Sequence, residues 1–414
     1  MSPQYENPFR PGAGHKPPYL AGRQIETDEF KRLLGQPTIL ENLMLTGLRG
    51  VGKTVLLDAF KPIAIRGDWL WVGTDLEEAV SISEHNLVVR LLTDLSTVTS
   101  SLVTGTEEQT EMGFTGQPIT VNKMLNYEAL EAIYKETPGL ESDRLKAVLE
   151  TVWALLEPRG KRGVVFAYDE AQNLTDNADR DQFPLSLLLD VFQSIQRKNI
   201  PFMLALTGLP TLVANLVEAR TFSERMFRIL FLQRLSDEES REAVEKPTKI
   251  ENCPVLFSPE SVDTIVDLSA GYPYFIQFIC REVFDLFIQQ LGEGQTPSVP
   301  VAEITHKLDS DFFAGRWSKA TDRQRELLYA AATLQSADSE FTVRDLVRRT
   351  RQILQNPFKS SHANQMLKTL CEKSLVYKNR HGKYSFAVPL LHKFILRNEA
   401  PEGTIQDGFF DERA

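Results

Sequence analysis

The sequence predicts an α/β chain: a parallel sheet covered on both faces by helices, then a helical domain, then a C-terminal winged helix-turn-helix. Three observations carry that reading. Four short apolar runs alternate with helical patterns between Ile39 and Leu232. The first run leads into Gly47-Leu48-Arg49-Gly50-Val51-Gly52-Lys53-Thr54, a glycine-rich loop closed by a lysine and a threonine. Near the C-terminus, three helical patterns precede two alternating runs around a glycine turn.

The elements follow in chain order. Residues 1–24 are rich in proline and glycine (Asn7-Pro8-Phe9, Pro11-Gly12, Pro17-Pro18) and read as an extended arm, which Pro18-Tyr19-Leu20-Ala21-Gly22-Arg23 closes. A polar helix is expected from Ile25 to about Leu34. Residues 25–234 form the α/β core, with strands at Asn42–Thr46, Trp69–Gly73, Gly163–Tyr168 and Phe202–Thr207. Unbroken apolar runs of this kind, separated by helices, imply a parallel sheet buried on both faces. Between the second and third runs, helices are expected near Asn86–Leu102 and Ser142–Leu156, with a polar connector at Thr104–Gln117.

Residues 235–316 read as a helical domain. Ser236 and Glu239 have the spacing of a capping box. Helices are expected at Asp237–Val244, Pro259–Leu268 and Tyr274–Leu291, the last apolar almost all round and therefore buried. Gly292–Pro300 is a linker. Residues 317–396 read as the winged helix: helices at Asp322–Leu334, Val343–Arg349 and Ser361–Lys373, then a hairpin around Asn379-Arg380-His381-Gly382. Residues 397–414 read as a frayed tail.

At 414 residues the chain has room for two to three domains. Its 42% apolar and 25% charged content is that of a globular protein in water. Three cysteines, Cys253, Cys280 and Cys371, lie too far apart for a zinc module or a disulfide scaffold. A reducing, cytoplasmic setting fits them. No apolar run approaches the ~18 residues of a membrane span, and the N-terminus lacks an apolar signal core. No membrane partner is therefore expected.

The glycine-rich loop matches GxxxxGK[ST] in full. Glycines let backbone N–H groups curl around phosphate oxygens, and the following helix points its positive end at them. Gly47, Leu48, Arg49, Gly50, Val51, Gly52, Lys53, Thr54 and Val55 are the candidate nucleotide-binding residues. Lys53 is expected to reach the β- and γ-phosphates and Thr54 to ligate Mg2+. The third strand ends in Asp169-Glu170. A carboxylate at the carboxyl end of a parallel strand sits where ligands bind in open α/β sheets. Asp169 is assigned to Mg2+, and Glu170 to orienting and deprotonating an attacking water. The second acid argues for hydrolysis of ATP.

These residues resemble the AAA+ branch of P-loop ATPases, in particular its origin-recognition-like and STAND-like groups, over most of the chain. The resemblance implies further roles. Gly22 and Arg23 correspond to the box that packs on adenine. Thr207, at the end of the fourth strand, falls where these families carry a polar sensor of the γ-phosphate, although Asn is usual there. Within Ser223-Glu224-Arg225-Met226-Phe227-Arg228, Arg225 first and Arg228 second correspond to an arginine that reaches a neighbouring subunit's nucleotide. That finger implies self-association with ATP at subunit interfaces. The helical domain becomes the lid, and Gly271-Tyr272-Pro273-Tyr274 resembles the Gly-x-Pro lid signature of STAND ATPases, which assigns Tyr272 and Pro273 to the nucleotide. Past this signature no arginine appears until Arg281.

The net charge of −10 argues, as a sum, against nucleic acid. It is unevenly spread. Between Phe341 and Lys383, ten basic residues and two acids give +8, leaving −18 elsewhere. A basic winged helix on an acidic body is the electrostatic footprint of a duplex-DNA-binding module. Arg348, Arg349, Lys359, Asn364, Lys368, Lys378, Arg380 and Lys383 are the candidate contacts, with Ser360–Lys368 as recognition helix and His381 also on the wing. The expectation is an AAA+ ATPase whose nucleotide state controls assembly and DNA binding, in replication, transposition or mobile-element control. Two rivals stand beside it: a STAND-like signalling or defence switch whose winged helix contacts a protein partner, and a loader ATPase serving one enzyme.

Overall fold

The computed structural model describes residues 6–12, 14–109, 119–249, 253–380 and 382–398. The chain divides into two compact units. One takes Arg23–Gly47 and Lys53–Leu232; the other takes the described residues of Met1–Gly22, Leu48–Gly52 and Gln233–Ala414.

The first unit is an α/β layer structure. Its elements are α1 (Gln24–Leu34), β1 (Asn42–Gly47), α2 (Lys53–Arg66), β2 (Trp69–Val72), α3 (Glu84–Thr99), β3 (Val103–Gln109), β4 (Ile119–Met124), α4 (Tyr127–Glu136), α5 (Glu141–Leu156), β5 (Gly163–Tyr168), α6 (Pro184–Arg197), β6 (Phe202–Gly208), α7 (Thr211–Ala219), the single turn α8 (Ser223–Met226) and β7 (Phe227–Leu232). Five strands form a parallel sheet in the order β2-β5-β6-β1-β7. Every residue of β1, β5 and β6 is buried, which is why these strands read as unbroken apolar runs. Helices pack on the sheet through large side chains. The Phe30 and Phe60 rings stack at 4.3 Å, joining α1 to α2. Phe166 meets Phe192 edge-on at 5.0 Å, joining β5 to α6.

Three elements here differ from the sequence expectation. A fifth strand, β7, pairs parallel with β1 from Asn42↔Phe227 to Gly47↔Leu232. The connector expected at Thr104–Gln117 is in part strand β3, which pairs antiparallel with β4; residues 110–117 lie outside the described set. Val103–Gln109 carries one apolar residue and no apolar alternation, which conceals that strand; among the described residues β3 and β4 pair only with each other, in a two-stranded ribbon. Helix α4 adds 10 residues that bury Leu130 and Tyr134 on one face, capped by the Asn126 side chain.

The second unit contains α9 (Asp237–Glu245), α10 (Pro259–Ser269), α11 (Pro273–Gly292), α12 (Val301–Leu308) with a π-helical continuation at Asp309–Ala314, α13 (Gly315–Trp317), α14 (Asp322–Ala332), β8 (Phe341–Thr342), α15 (Val343–Ile353), α16 (Ser360–Glu372), β9 (Val376–Arg380), β10 (Lys383–Phe386) and α17 (Leu391–Arg397). The Ser236–Glu239 capping box opens α9. The strands form an antiparallel sheet in the order β8-β10-β9. His381 lies outside the described residues, and Gly382 turns the hairpin at φ +72°.

One apolar core runs through this unit, from Phe9 and Phe275 to Phe341 and Phe394. Phe9 is 2% exposed and packs against Phe257 and Phe284 at 6.1 and 6.3 Å. The Asn7 side chain donates to Arg281 O at 2.9 Å and Asp285 Oδ1 at 2.8 Å, anchoring the arm to α11. Among the described residues, no helix is long and apolar enough to cross a membrane.

Candidate functional site

The phosphate-loop motif joins β1 to α2. Gly50 and Gly52 sit at φ +80° and +88°, a conformation that only glycine adopts without strain. A Cβ on Gly52 would meet nothing within 4 Å, so backbone conformation and not space requires glycine there. Lys53 Nζ donates to Gly47 O at 3.0 Å. Helix α2 starts at Lys53, so its positive end faces back along the loop. The Tyr274 N–H donates to Gly50 O at 3.1 Å. Tyr274 is the second residue of α11, after Pro273, so this bond satisfies one of the helix's otherwise unpaired N–H groups.

Register brings the strand ends together. Leu45 pairs with Thr207 and Thr46 with Gly208, while Tyr168 pairs with Leu206. Asp169 follows β5 directly and is 5% exposed; Thr207 is fully buried. Thr54 Oγ1 donates to Asp169 Oδ2, and Thr207 Oγ1 donates to Asp169 Oδ1. The Glu170 N–H donates to the same Oδ1 at 2.8 Å. One carboxylate therefore ties the phosphate-loop threonine to the end of β6. Glu170 is exposed, holds a left-handed backbone at φ +51°, and accepts on Oε2 from the Gln172 amide.

Two further acids border this group. Burial raises the Asp75 carboxyl above its usual range, and the charges of Asp169, Glu170 and Asp58 push it further. Burial also raises Asp58, with Lys61 opposing and Asp169 adding to the shift. These four acids concentrate negative charge at the strand ends.

The remaining candidates fall as follows. Gly22 has φ +61°, and a Cβ there would stand 2.4 Å from the Glu239 carboxylate. Arg23 is 7% exposed and pairs with Glu26 at 3.3 Å. Arg225 is exposed and lines a groove of about 500 Å3 with Leu40, Gln193, Arg197 and Phe222. Arg228, by contrast, pairs with Glu29 at 2.8 Å. Hydrogen bonds from Arg32 and then Arg228 hold the Glu29 carboxyl below its usual range. Tyr272 caps α11 and is half-buried, which raises its phenol. Pro273 is the first residue of that helix.

The basic residues of the C-terminal segment divide into two groups. Lys359, Lys368 and Lys378 are exposed, as is Asn364, whose amide donates to Ser360 O at 2.9 Å. Arg348 pairs with Asp345 at 3.1 Å and Lys383 with Glu340 at 3.3 Å. Arg349 donates to Thr333 Oγ1 at 2.9 Å and Gln352 Oε1 at 3.1 Å. Arg380 ends β9; its side chain lies outside the described set.

Residues 19–217 match the family model described as AAA ATPase domain. This stretch of the chain is an AAA ATPase domain. Residues 310–395, downstream of it, match a second family model, described as Domain of unknown function (DUF8462). The chain is similar to Aeropyrum pernix ORC2 in its ADP form, at 15% identity and TM-score 0.53, over 93% of this chain and 97% of that one. It is similar to the ADPNP-ADP complexes of the same protein at 14% identity and TM-score 0.51, over 93% and 96%. Aeropyrum pernix ORC1 in complex with DNA matches at 13% identity and TM-score 0.46, over 92% and 93%. At these identities the likeness to ORC2 is one of fold: an AAA+ α/β sheet with a helical C-terminal part. No curated protein matches the chain.

Sequence reasoning missed several residues around the AAA ATPase domain's strand ends. Gln172 lies two positions past the acid pair, and that proximity was its only local signal. Asp58, Asp75 and Leu209 join the group through tertiary structure alone. Tyr274 was read only as the start of α11, while its backbone bond to the phosphate loop comes from a residue more than two hundred positions away.

Proposed function

We propose that the AAA ATPase domain binds ATP with Mg2+ and hydrolyses it, and that nucleotide state sets self-association and duplex DNA binding through a C-terminal winged helix. The observation that carries the reading is Asp169, whose two carboxylate oxygens accept the hydroxyls of Thr54 and Thr207. That arrangement supports Thr54 as a metal ligand, Asp169 as its anchor and Thr207 as a sensor of the γ-phosphate.

The residues fit Mg2+: an alcohol and a carboxylate side by side are hard oxygen donors, and this ion uses few protein ligands beside phosphates and water. When bound, it neutralises charge on the phosphate oxygens. Lys53 exchanges the Gly47 carbonyl for phosphate oxygens. Val51 to Val55 offer backbone N–H groups near the start of α2. Glu170, exposed beside Asp169, orients a water and takes its proton. Arg225, free of any carboxylate partner among the described interactions, supplies positive charge to the nucleotide of a second copy. Arg228 has a carboxylate of its own chain. Gly22, Arg23, Tyr272 and Pro273 complete the nucleotide-binding set.

The DNA part rests on β8, β9 and β10 beside α14, α15 and α16, an element order that supports a winged helix. Lys359, Asn364 and Lys368 face solvent on or next to α16, and Lys378 does so on β9. Arg348, Arg349, Arg380 and Lys383 complete the contact set. A second reading, a signalling switch whose winged helix contacts protein, is favoured by the Tyr274 N–H to Gly50 O bond. It links the Gly-Tyr-Pro-Tyr segment to the phosphate loop.

The test uses Glu170→Gln, which retains ATP and blocks hydrolysis, in duplex-DNA titrations at low salt. ATP-dependent duplex binding by the trapped variant supports the reading. Full turnover in Glu170→Gln removes the base assignment. Absence of duplex binding with and without ATP removes the DNA part and leaves the switch.

A further inference from the structure

The Gln172 side chain makes three hydrogen bonds that hydrolysis as proposed leaves unused, the longest from Nε2 to Asn173 Oδ1 at 3.5 Å. Its Oε1 accepts from the Leu209 N–H at 2.9 Å, and its Nε2 donates to Glu170 Oε2. A backbone N–H can only donate, so it fixes which end of the amide points toward β6 and turns the NH2 group to the carboxylate. The backbone around Gln172 is held as well. Its carbonyl accepts from Asn215 Nδ2 on α7 at 3.3 Å, and the Asn173 N–H donates to Glu170 O at 2.9 Å. Glu170 itself keeps φ +51°, a conformation that a non-glycine residue holds only when its surroundings impose it.

We infer that Gln172 is a positioning residue for Glu170, tying the carboxylate to the backbone that follows β6. The inference rests on Glu170 being the base. Leu209 lies two residues past Thr207, so a displacement at the end of β6 reaches the Gln172 amide directly. The amide passes it to Glu170 Oε2. The same N–H bond restricts the carboxylate's rotation, so the oxygen that takes the proton has a defined place. Hydrolysis thereby answers to the strand end that carries Thr207, with no contact between Thr207 and Glu170 required.

The structure supplies an independent handle on the same link. A Cβ on Gly208 would stand 2.6 Å from Gln172 Oε1, the far end of a flexible side chain, and 3.0 Å from Leu212 Cδ2. Gly208→Ala therefore displaces the amide while leaving its chemistry intact. Gly208 does not have a positive φ, so alanine adds no backbone strain.

Three variants test the inference in the full chain, read by ATP affinity and kcat. Gln172→Ala is expected to lower kcat by about tenfold or more with ATP affinity within about twofold, the pattern of a lost catalytic-geometry contact. Gln172→Glu keeps an acceptor for the Leu209 N–H but has no N–H for Glu170, so it is expected to lose kcat at least as Gln172→Ala does, again with ATP affinity within about twofold. Gly208→Ala is expected to reproduce the loss, and Gly208→Ala with Gln172→Ala to lose no more than either alone. Full kcat in Gln172→Glu, or additive losses in the double variant, overturns the inference. Full kcat in Gln172→Ala overturns it too. If Glu170→Gln keeps full turnover, the base assignment fails instead, and that result is read separately.

Discussion

Replacing Thr207 by valine removes one hydroxyl and keeps volume and β-branching. Thr207 is fully buried and Asp169 is 5% exposed, so water does not replace the lost donor. Asp169 Oδ1 retains the Glu170 N–H at 2.8 Å, and Oδ2 retains the Thr54 hydroxyl. One of three donors is lost, and a hydrogen bond to a charged group contributes about 1.5–3 kcal/mol. If that bond acts in the transition state, turnover falls by roughly 10- to 150-fold. If it acts only in the fold, thermal stability falls and turnover of the folded protein does not. Phosphate release at saturating ATP, together with thermal melting, separates the two. Thr207→Ser keeps the hydroxyl and is expected to stay close to the parent in both. A Thr207→Val variant that turns over ATP within twofold of the parent would refute the sensor reasoning.

Three other outcomes follow from the geometry. Arg225→Ala and Lys53→Ala, each inactive alone, are expected to recover turnover when mixed, because the first keeps an intact nucleotide site and the second an intact finger; mixtures as inactive as their components argue against a finger in trans. Phe9→Ala is expected to cost about 3–5 kcal/mol, as a 2% exposed aromatic between Phe257 and Phe284 leaves a cavity, and an unshifted melting or denaturation midpoint would show that the arm is dispensable. Replacing Lys359, Lys368 and Lys378 together by alanine is expected to flatten the log–log salt dependence of duplex binding by about 2.7, and an unchanged slope would move the duplex to another surface.

What the sequence made legible is what chemistry constrains locally. The phosphate loop is one continuous segment, and β1, β5 and β6 are apolar throughout because both faces are covered. The Ser236–Glu239 cap is a three-residue interaction and was equally readable. Strand β7 carries no separate sequence signal, because its run, Phe227–Leu232, begins within the arginine-bearing segment Ser223–Arg228. Among the described residues the β3–β4 ribbon pairs with no other strand, so no apolar alternation marks it in the sequence. Pairings across long separations left no local trace. Arg228 meets Glu29, 199 positions away, and nothing near Arg228 distinguished it from Arg225. Asp169 was placed on Mg2+ from its strand end, while its bond to Thr207 depended on the register of two strands.

The same separation of local from tertiary applies to charge. Counted along the chain, Phe341 to Lys383 carries +8. In the fold, those charges are not equivalent. Arg348 is 73% exposed in its pair with Asp345, and Lys383 is 38% exposed in its pair with Glu340. Exposed pairs of this kind contribute little, so either cation can turn to a phosphate at small cost. Arg349 and Lys373 are different. Arg349 bonds to Thr333 and Gln352, and Lys373 bonds to Lys319 O at 2.8 Å and Gln324 Oε1 at 2.7 Å. Neutralising either would disturb packing between helices as much as the field, and a weakened duplex complex from such a variant would not identify a phosphate contact. The residues whose loss reads as charge alone are the exposed ones: Arg344 and Arg351 on α15, Lys359 and Lys368 at α16, and Lys378 on β9. If the C-terminal segment meets a duplex as proposed, these five side chains, with the exposed Arg348, are the ones whose neutralisation tests the charge term, since the rest of the chain carries −18.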